Sequence, residues 1–221
     1  MERVDRIFVL MYRRLLECFG PQHWWPAETR FEVIIGAVLT QNTNWGNVEK
    51  AIERMRSAGC LEPAVLRELP EDRLAFLIKP AGYFNIKARR LKNFIRFFFS
   101  EYNGSVSEMK KERVDILRRK LLNVNGIGPE TADSILLYAL DKPIFVVDAY
   151  TRRLLLRHGI ISSDASYDDI QKVFMLHLDR SVRMFNEYHA LIVRLGKDYC
   201  KVKPLCDGCP LSRFRIGYKR R

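Results

Sequence analysis

No apolar run in this 221-residue sequence is long enough to span a membrane. A membrane-spanning helix needs about 20 consecutive, mostly apolar residues, and the 48% of hydrophobic residues are never gathered into such a run. The N-terminal stretch MERVDRIFVLMYRRLLECFG is amphipathic and interrupted by charges, which indicates a helix and not a signal peptide. We therefore predict a soluble globular protein with no membrane partner.

The sequence also lacks the cysteine framework of a secreted, disulfide-stapled protein. Of its five cysteines, three lie close together near the C-terminus. This usage favours a reducing compartment, so we predict a cytoplasmic location. The remaining two, Cys18 and Cys60, stand alone in the sequence, and we expect both to be buried as small hydrophobic side chains.

Alternating patterns typical of β-strands are missing as well. The apolar run Ile144–Val147 is too short and too isolated to indicate a sheet. No internal repeat or low-complexity segment is present. Apolar residues recur instead at helical spacings, so we predict an all-α fold. A chain of this length can bury the core of one or two domains.

Acidic residues are outnumbered, with 26 of them against 38 lysines and arginines. The resulting net charge of +12 and the pI near 9.7 indicate a polyanionic partner. We favour nucleic acid over a membrane surface because no single strongly basic amphipathic face stands out.

The most informative stretch begins at Leu117 and ends at Asp148. An amphipathic helix breaks at the turn Asn125-Gly126-Ile127-Gly128, whose two glycines could adopt positive φ and whose isoleucine could fill the hairpin. Pro129 then suits the first position of a second helix. Such a turn presents backbone N–H groups to an anion, and a nucleic-acid phosphate is a natural ligand. An ordinary helical hairpin is the alternative.

Asp148 follows the apolar run Ile144–Val147 and precedes the basic segment TRRLLLRHG. A carboxylate at this position is either the N-cap of the next helix or a functional group. Together, the GIGPETA hairpin and the VVDAY segment resemble the helix-hairpin-helix (HhH-GPD) DNA glycosylases of the endonuclease III superfamily. The resemblance covers nearly the whole chain.

This resemblance implies two helical lobes with a cleft between them that holds Glu130 and Asp148. One lobe would have six helices and the hairpin, within residues 27–141, and the other would combine residues 1–26 and 142–221. Asp148 would be the essential catalytic carboxylate. Bifunctional members carry a lysine nucleophile where this chain has Glu130, so the resemblance implies a monofunctional enzyme without AP lyase activity.

The resemblance also assigns residues to double-stranded DNA. Gln41 would occupy the space left by an extruded nucleotide, because its amide can both donate and accept. Tyr83, in a GxxNxKA-like turn, would act as a wedge in the minor groove. Lys87, Arg89 and Arg90 could reach phosphates or form a solvated face. The hairpin contacts would come from Asn125, Gly126, Ile127, Gly128 and Thr131.

The base pocket would be aromatic. Trp24 and Trp25 are adjacent and must face different directions, so they either anchor a loop or form a wall for a flipped base, where stacking contributes about 1–3 kcal/mol. With Trp45 and Glu130, they resemble the 3-methyladenine glycosylase branch. Alkylated purines are cationic, and aromatic faces attract cations. Lys197 matches a pocket lysine of that branch, or is a surface lysine.

Related glycosylases carry four cysteines near the C-terminus, spaced as an iron–sulfur loop. This chain supplies Cys200, Cys206 and Cys209, while Arg215 stands where the fourth is expected. Three interpretations stay open: a 4Fe–4S cluster, a three-cysteine site with another ligand, and a metal-free loop.

The sequence thus predicts a monomeric, monofunctional DNA glycosylase of base excision repair that acts in the nucleoid on an alkylated purine such as 3-methyladenine. Asp148 would stabilise positive charge on the sugar or activate water. One alternative is an enzyme of the same fold for oxidised pyrimidines or mismatched thymine. Another is a DNA-binding hairpin protein without catalysis.

Overall fold

The computed structural model of the protein describes residues 2–214, and the side chains of residues 6–214. Within this range every regular element is helical, which confirms the predicted all-α class. None of the described helices is long and apolar enough to cross a membrane. The helices are α1 Glu2–Phe19, α2 Arg30–Leu39, α3 Trp45–Ser57, α4 Pro63–Glu68, α5 Glu71–Leu77, α6 Phe84–Tyr102, α7 Val106–Lys111, α8 Val114–Leu122, α9 Pro129–Ser134, α10 Ala149–Arg157, α11 Tyr167–His177 and α12 Val182–Asp198.

The chain divides into two compact units. The central unit is Trp25–Lys142, and the terminal unit combines the described parts of Met1–Trp24 and Pro143–Arg221. The central unit thus starts two residues before the predicted boundary at 27. Trp25 belongs to it because its ring packs on Tyr138, with centroids 5.2 Å apart, and on Gly36.

The central unit has eight described α-helices, and not the six that were predicted. Helix α4 ends at Glu68, and α5 begins at Glu71. Pro70 separates them as the N-cap of α5, since proline has no N–H to continue the first helix. The additional helix α7 is capped by Ser105, whose hydroxyl accepts a hydrogen bond from the Glu108 N–H.

The core of the central unit forms around α2. Every residue from Phe31 to Leu39 is buried, as the almost uninterrupted apolar sequence predicts. Phe31 stacks on Phe98 of α6 with centroids 5.9 Å apart. After α9 the chain continues as a π-helical segment at Ile135–Ala139, and all of these residues are buried. This core fixes the ends of α2 and α9, from which polar side chains project.

The core of the terminal unit is aromatic. Phe145 stacks on Phe174 of α11 at 3.7 Å between centroids, and both rings are fully buried. Its backbone carbonyl accepts a hydrogen bond from the buried Gln171 amide at 2.6 Å. The run Ile144–Val147 is a buried segment without regular secondary structure, and Asp148 follows it at the start of α10.

Candidate active site and nucleic-acid interface

Asp148 is the N-cap of α10 and also faces a buried histidine. One carboxylate oxygen accepts a hydrogen bond from the Thr151 N–H at 2.7 Å. The other lies 3.5 Å from Nε2 of His189 on α12, and the Asp148 side chain is 12% exposed. The N-cap interpretation is therefore correct. It leaves one oxygen directed away from the cap.

The surroundings of Asp148 keep its carboxyl ionised. Burial by itself would raise the pKa of Asp148, but the charge and hydrogen bond of His189, with the hydrogen bonds from Thr151, hold that pKa below its usual value. His189 was not identified from the sequence. The available signal was a histidine on the apolar side of α12, beside the buried Tyr188, Ala190 and Leu191.

The hairpin between α8 and α9 is built closely on α6. Gly126 has φ of +95°, and a Cβ there would lie 2.2 Å from Cγ of Arg90. Ile127 is buried, as predicted, and fills the turn. Gly128 differs from the prediction, because its φ is −91° and a Cβ would meet nothing within 4 Å. Only Gly126 requires glycine for its conformation.

Polar side chains hold this hairpin in place. The Gln41 amide donates to the Gly126 carbonyl at 3.0 Å and to the Thr131 hydroxyl at 2.9 Å. Arg90 donates to the Gln41 side-chain oxygen, and Asn93 donates to the Asn125 carbonyl at 2.9 Å.

Two residues that were predicted to contact DNA instead make contacts within the central unit. Thr131, assigned to DNA from the sequence, is 6% exposed and bonded to Gln41. Arg90 is engaged by the same glutamine and packs on the hairpin turn, so it does not form a solvated face. Gln41 links the two. Its insertion into DNA stays a prediction.

Tyr83 is the most exposed aromatic ring that the sequence assigned to DNA, at 68%. It follows Gly82 and has φ of +46°, which is uncommon for a bulky residue and clusters at functional sites. It immediately precedes α6, so its position is fixed by a long helix. Its role as a wedge stays a prediction.

Lys87 was predicted to reach phosphates or the solvent, and the structure contradicts this. Its side chain is 1% exposed, and Nζ donates to the carbonyls of Leu39 at 2.8 Å and Ala81 at 2.7 Å. Burial, with the nearby charge of Arg90, lowers the pKa of Lys87 to about 8. Lys87 therefore joins the end of α2 to the turn before Tyr83. The neighbouring Arg89 is exposed.

An aromatic pair borders a cavity in the central unit. Trp25 and Trp45 meet edge to face with centroids 4.9 Å apart, and Trp45 donates from its indole N–H to Glu49 at 2.6 Å. The cavity has a volume of about 570 Å³. Its lining also includes Glu32, Glu53 and the basic residues Lys50, Arg54 and Arg56. The structure thus brings two predicted pocket residues together.

The other predicted pocket residues lie elsewhere in their units. Glu130 is exposed in the first turn of α9 and does not line this cavity. Trp24 is partly exposed in the loop after α1. Lys197 is exposed in the last turn of α12, as the surface-lysine alternative predicts.

Residues 35–179 match the family described as the HhH-GPD superfamily of base excision DNA repair proteins. This match includes both the hairpin and Asp148, and it spans more than half of the chain. The chain belongs to the HhH-GPD superfamily. The resemblance predicted from the sequence is confirmed, and the protein is a DNA glycosylase of base excision repair.

HhH-GPD relatives match almost the full length of the chain. A Methanocaldococcus jannaschii protein named as a DNA repair glycosylase is 50% identical over 94% of each chain. Endonuclease III of Thermotoga maritima is 28% identical over 86% of this chain and 84% of its own. The crystal structure of H. pylori 3-methyladenine DNA glycosylase bound to 1,N6-ethenoadenine has a TM-score of 0.75, with 30% identity over 88% of this chain and 96% of that one.

This HhH-GPD chain places its three C-terminal cysteines around a second cavity, in the terminal unit, of about 150 Å³. Cys200 is buried, Cys209 is half-buried and Cys206 is exposed. Among residues 2–214, no three histidine, cysteine or acidic side chains are arranged to hold a single metal ion. Arg215 lies outside the described residues. Cys60 is buried as predicted, but Cys18 is exposed, which corrects the prediction made for it.

Two arginines of α10 hold the segment that carries these cysteines. Arg157 of α10 donates to the Cys200 sulfur at 3.3 Å and to the carbonyl oxygens of Lys201 and Val202. Arg153 donates to the Cys200 carbonyl at 2.6 Å. Iron–sulfur clusters are held by cysteine sulfurs, usually four of them. The donor set therefore fits an iron–sulfur group in its chemistry, with three of the four usual thiolates.

Proposed function

We propose that the protein is a monofunctional DNA glycosylase that removes an alkylated purine, such as 3-methyladenine, from double-stranded DNA. The observation that carries this proposal is the Trp25–Trp45 pair beside a cavity of about 570 Å³, with Glu49 held against Trp45. Aromatic faces and a carboxylate together favour a cationic base over a neutral one. The 30% identical relative named for 3-methyladenine supports the same substrate class.

Asp148 would act at the sugar of the extruded nucleotide. A carboxyl group whose pKa is held low remains an anion, but it is a weak proton acceptor. This favours electrostatic stabilisation of the developing oxocarbenium-like charge over activation of water. The hydrogen bond from Thr151 fixes the carboxylate before substrate arrives, so no reorganisation is needed.

The proposed absence of AP lyase activity rests on Glu130. A lyase step needs an amine that attacks the sugar carbon and forms a Schiff base, and a carboxylate cannot form that imine. Borohydride should therefore trap no covalent adduct, and the product should be an intact abasic strand that is cut only after alkali or heat. Efficient trapping, persisting in Glu130→Ala, would show that an amine elsewhere in the protein is the nucleophile, and it would contradict the proposal.

Base release from a panel of duplexes tests the substrate class. Duplexes with 3-methyladenine, an oxidised pyrimidine or mismatched thymine should be compared under single-turnover conditions, with Asp148→Asn as the inactive control. Rapid release of 3-methyladenine alone supports the proposal. Trp45→Leu should slow that release more than Phe76→Leu, because Phe76 is an exposed aromatic residue that does not line the cavity.

A second candidate is an endonuclease III-like glycosylase for oxidised pyrimidines or mismatched thymine. It is favoured by the relatives named endonuclease III, including that of Sulfolobus acidocaldarius at 30% identity over 83% of this chain. Release of an oxidised pyrimidine or thymine, with alkylated DNA left intact, would select this candidate over the first.

We also propose that Cys200, Cys206 and Cys209 hold an iron–sulfur group. When bound, it would act as a structural staple for a segment that has little apolar core of its own. Arg153 and Arg157 already bind this segment to α10, which begins at Asp148. The group would therefore support the helix that carries the catalytic carboxylate. Iron content of the purified protein tests this assignment.

A further inference from the structure

A buried histidine faces the oxygen of Asp148 that does not accept the capping hydrogen bond. Nε2 of His189 lies 3.5 Å from this oxygen, within the range of an ion pair, while the Thr151 N–H binds the other oxygen at 2.7 Å. Little of either side chain reaches solvent, since His189 is 7% and Asp148 12% exposed. The imidazole thus lies beside the proposed catalytic carboxylate, and the proposed function gives it no role.

Packing within the terminal unit fixes the imidazole. His189 lies on α12, and its neighbours along that helix are buried. Its ring meets the fully buried Phe145 ring edge to face, at 82° and 6.4 Å between centroids. The adjacent Tyr188 hydroxyl donates to the Phe8 carbonyl of α1 at 3.1 Å, which holds this part of α12 in place. The imidazole therefore has little freedom to turn away from Asp148.

The backbone that carries Asp148 is fixed as well. Before Asp148, the Val147 N–H donates to the Tyr167 hydroxyl of α11 at 3.2 Å. After it, Tyr150 packs on α12 at Gly196, where a Cβ would lie 2.2 Å from Cδ1 of the tyrosine ring. Because Gly196 has no side chain, α10 can approach α12 closely at this point. These two contacts hold the carboxylate at its distance from the imidazole.

An N–H beside a carboxylate restricts its rotation and favours its ionised form. Burial by itself would raise the pKa of Asp148, and the contact with His189, together with Thr151, holds that pKa below its usual value instead. Catalytic hydrogen bonds are often long before substrate binds, so the 3.5 Å distance suits this role. Without His189, burial would favour the protonated acid, which cannot stabilise positive charge on the sugar.

We propose that His189 is a positioning residue for base release, whose Nε2–H is directed at Asp148, orients the carboxylate and keeps it ionised while the base leaves. The inference rests on the catalytic role proposed for Asp148. His189 does not touch the substrate, and its effect passes through Asp148. No proton is transferred, so the imidazole keeps the same protonation state throughout the reaction.

Single-turnover base release by histidine variants tests this proposal. The substrate is the duplex of the lesion panel from which wild type releases the base fastest. His189→Leu, which has a similar volume and no N–H, should slow release about 10- to 100-fold, as expected for a misplaced catalytic group. Its affinity for the duplex should equal that of wild type. The control His177→Leu, at a histidine of the same unit that stacks on Phe8, should retain the wild-type rate.

His189→Gln distinguishes positioning from packing. A glutamine amide can place an N–H close to the position of Nε2 without the aromatic ring, so this variant should recover most of the lost rate. The acid limb of the rate should lie at higher pH in His189→Leu than in wild type, because a carboxyl group that loses its donor is protonated more readily. His189→Met replaces the leucine variant if that protein does not fold, with the same expected loss.

Two results with these variants would overturn the proposal. One is a wild-type rate in His189→Leu or His189→Met. The other is a folded His189→Gln protein that is as slow as the leucine variant, which would show that the N–H is not what the reaction needs.

Combination with Asp148→Asn tests whether the effect passes through the carboxylate. If it does, Asp148→Asn and the double variant with His189→Leu should be equally slow, because no carboxylate is left to misplace. A double variant that is slower by the full factor of His189→Leu would show that His189 acts on the substrate directly, and the positioning role would be wrong.

The same series keeps this inference separate from the proposed function. A rate in Asp148→Asn close to that of wild type would reject the catalytic role of Asp148, and the inference with it. A slow Asp148→Asn beside a fast His189→Leu would reject the inference alone.

Discussion

At the scale of single residues, Asp148 has a structural role as a helix cap beside the chemical role proposed for it. One oxygen caps α10 through Thr151, and the other faces His189. Asparagine is as good an N-cap as aspartate, so Asp148→Asn removes the charge without removing the cap. The two roles can therefore be separated by one substitution.

We expect Asp148→Asn to lower the single-turnover rate of base release by at least about 100-fold, because the transition state loses its preorganised anion. The free energy of unfolding should change by less than about 1 kcal/mol, and affinity for damaged duplex should be retained. Rapid-quench assays and fluorescence anisotropy measure these quantities. A rate close to that of wild type would show that another group stabilises the sugar.

Lys87 is the residue for which the structure changes the sequence interpretation most. Its folded pKa, about 8, lies below the ordinary lysine value, so the unfolded chain binds more protons between pH 8 and about 10.4. Stability therefore rises with pH across that window, and below pH 8 the contribution of Lys87 is a constant penalty.

Denaturant unfolding of wild type should show this rise between pH 8 and 10.4. Lys87→Met should abolish it and lower the free energy of unfolding by about 2–4 kcal/mol, because the carbonyls of Leu39 and Ala81 lose their donor. Lys79→Met, at an exposed lysine of the adjoining turn, should change neither quantity appreciably. A wild-type curve without the rise would argue against a depressed pKa.

At the scale of elements, the hairpin owes its shape to contacts with neighbouring helices as much as to its own sequence. Gln41, next to α2, donates to a backbone carbonyl of the turn, and so does Asn93 of α6. Arg90 of α6 donates to the Gln41 side chain. Gly126 allows the Arg90 side chain to cross the turn in van der Waals contact. The second glycine, Gly128, has neither a positive φ nor a close neighbour.

Gly126→Ala should lower the free energy of unfolding by about 1–3 kcal/mol, since the new Cβ meets Arg90 and alanine disfavours a positive φ. It should weaken binding to damaged and undamaged duplexes alike, because backbone contacts position DNA without reading sequence. Gly128→Ala, in the same turn, should change stability by less than about 1 kcal/mol. A selective loss for one lesion in Gly126→Ala would place the turn in the base pocket.

At the scale of the whole molecule, net charge sets the non-specific affinity for DNA. The +12 charge attracts a polyanion, and each neutralised phosphate releases counterions, so affinity falls as salt rises. Contact with about four to six phosphates predicts a decrease of about 10²- to 10³-fold between 50 and 200 mM salt.

Anisotropy titrations of an undamaged duplex at several salt concentrations measure this slope. Arg89→Ala should make the slope shallower by about 0.9 if this exposed residue contacts one phosphate. Arg67→Ala, at another exposed arginine, is a matched control for the loss of one charge. Equal slopes in wild type and Arg89→Ala would remove Arg89 from the DNA contacts.

The sequence by itself determined the helical class, the hairpin and the position of Asp148 at the start of a helix. These features depend on residues close together in the chain: apolar residues at helical spacing, glycine and proline at a turn, and a carboxylate before a helix. The central unit has eight described helices and not six, partly because Pro70 separates α4 from α5, and this difference leaves the fold class unchanged.

Only the tertiary structure decided which distant residues meet. The structure joins segments that are far apart in sequence: His189 lies beside Asp148, Gln41 binds the hairpin, Lys87 lies between two carbonyls, and Phe19 of α1 packs on Tyr199. Spacing cannot encode such pairs, because the packing of whole helices determines which side chains come into contact. Packing also determines whether a lysine reaches solvent or is buried. Lys87 is buried, and its amine donates to two backbone carbonyls that would otherwise lack a donor.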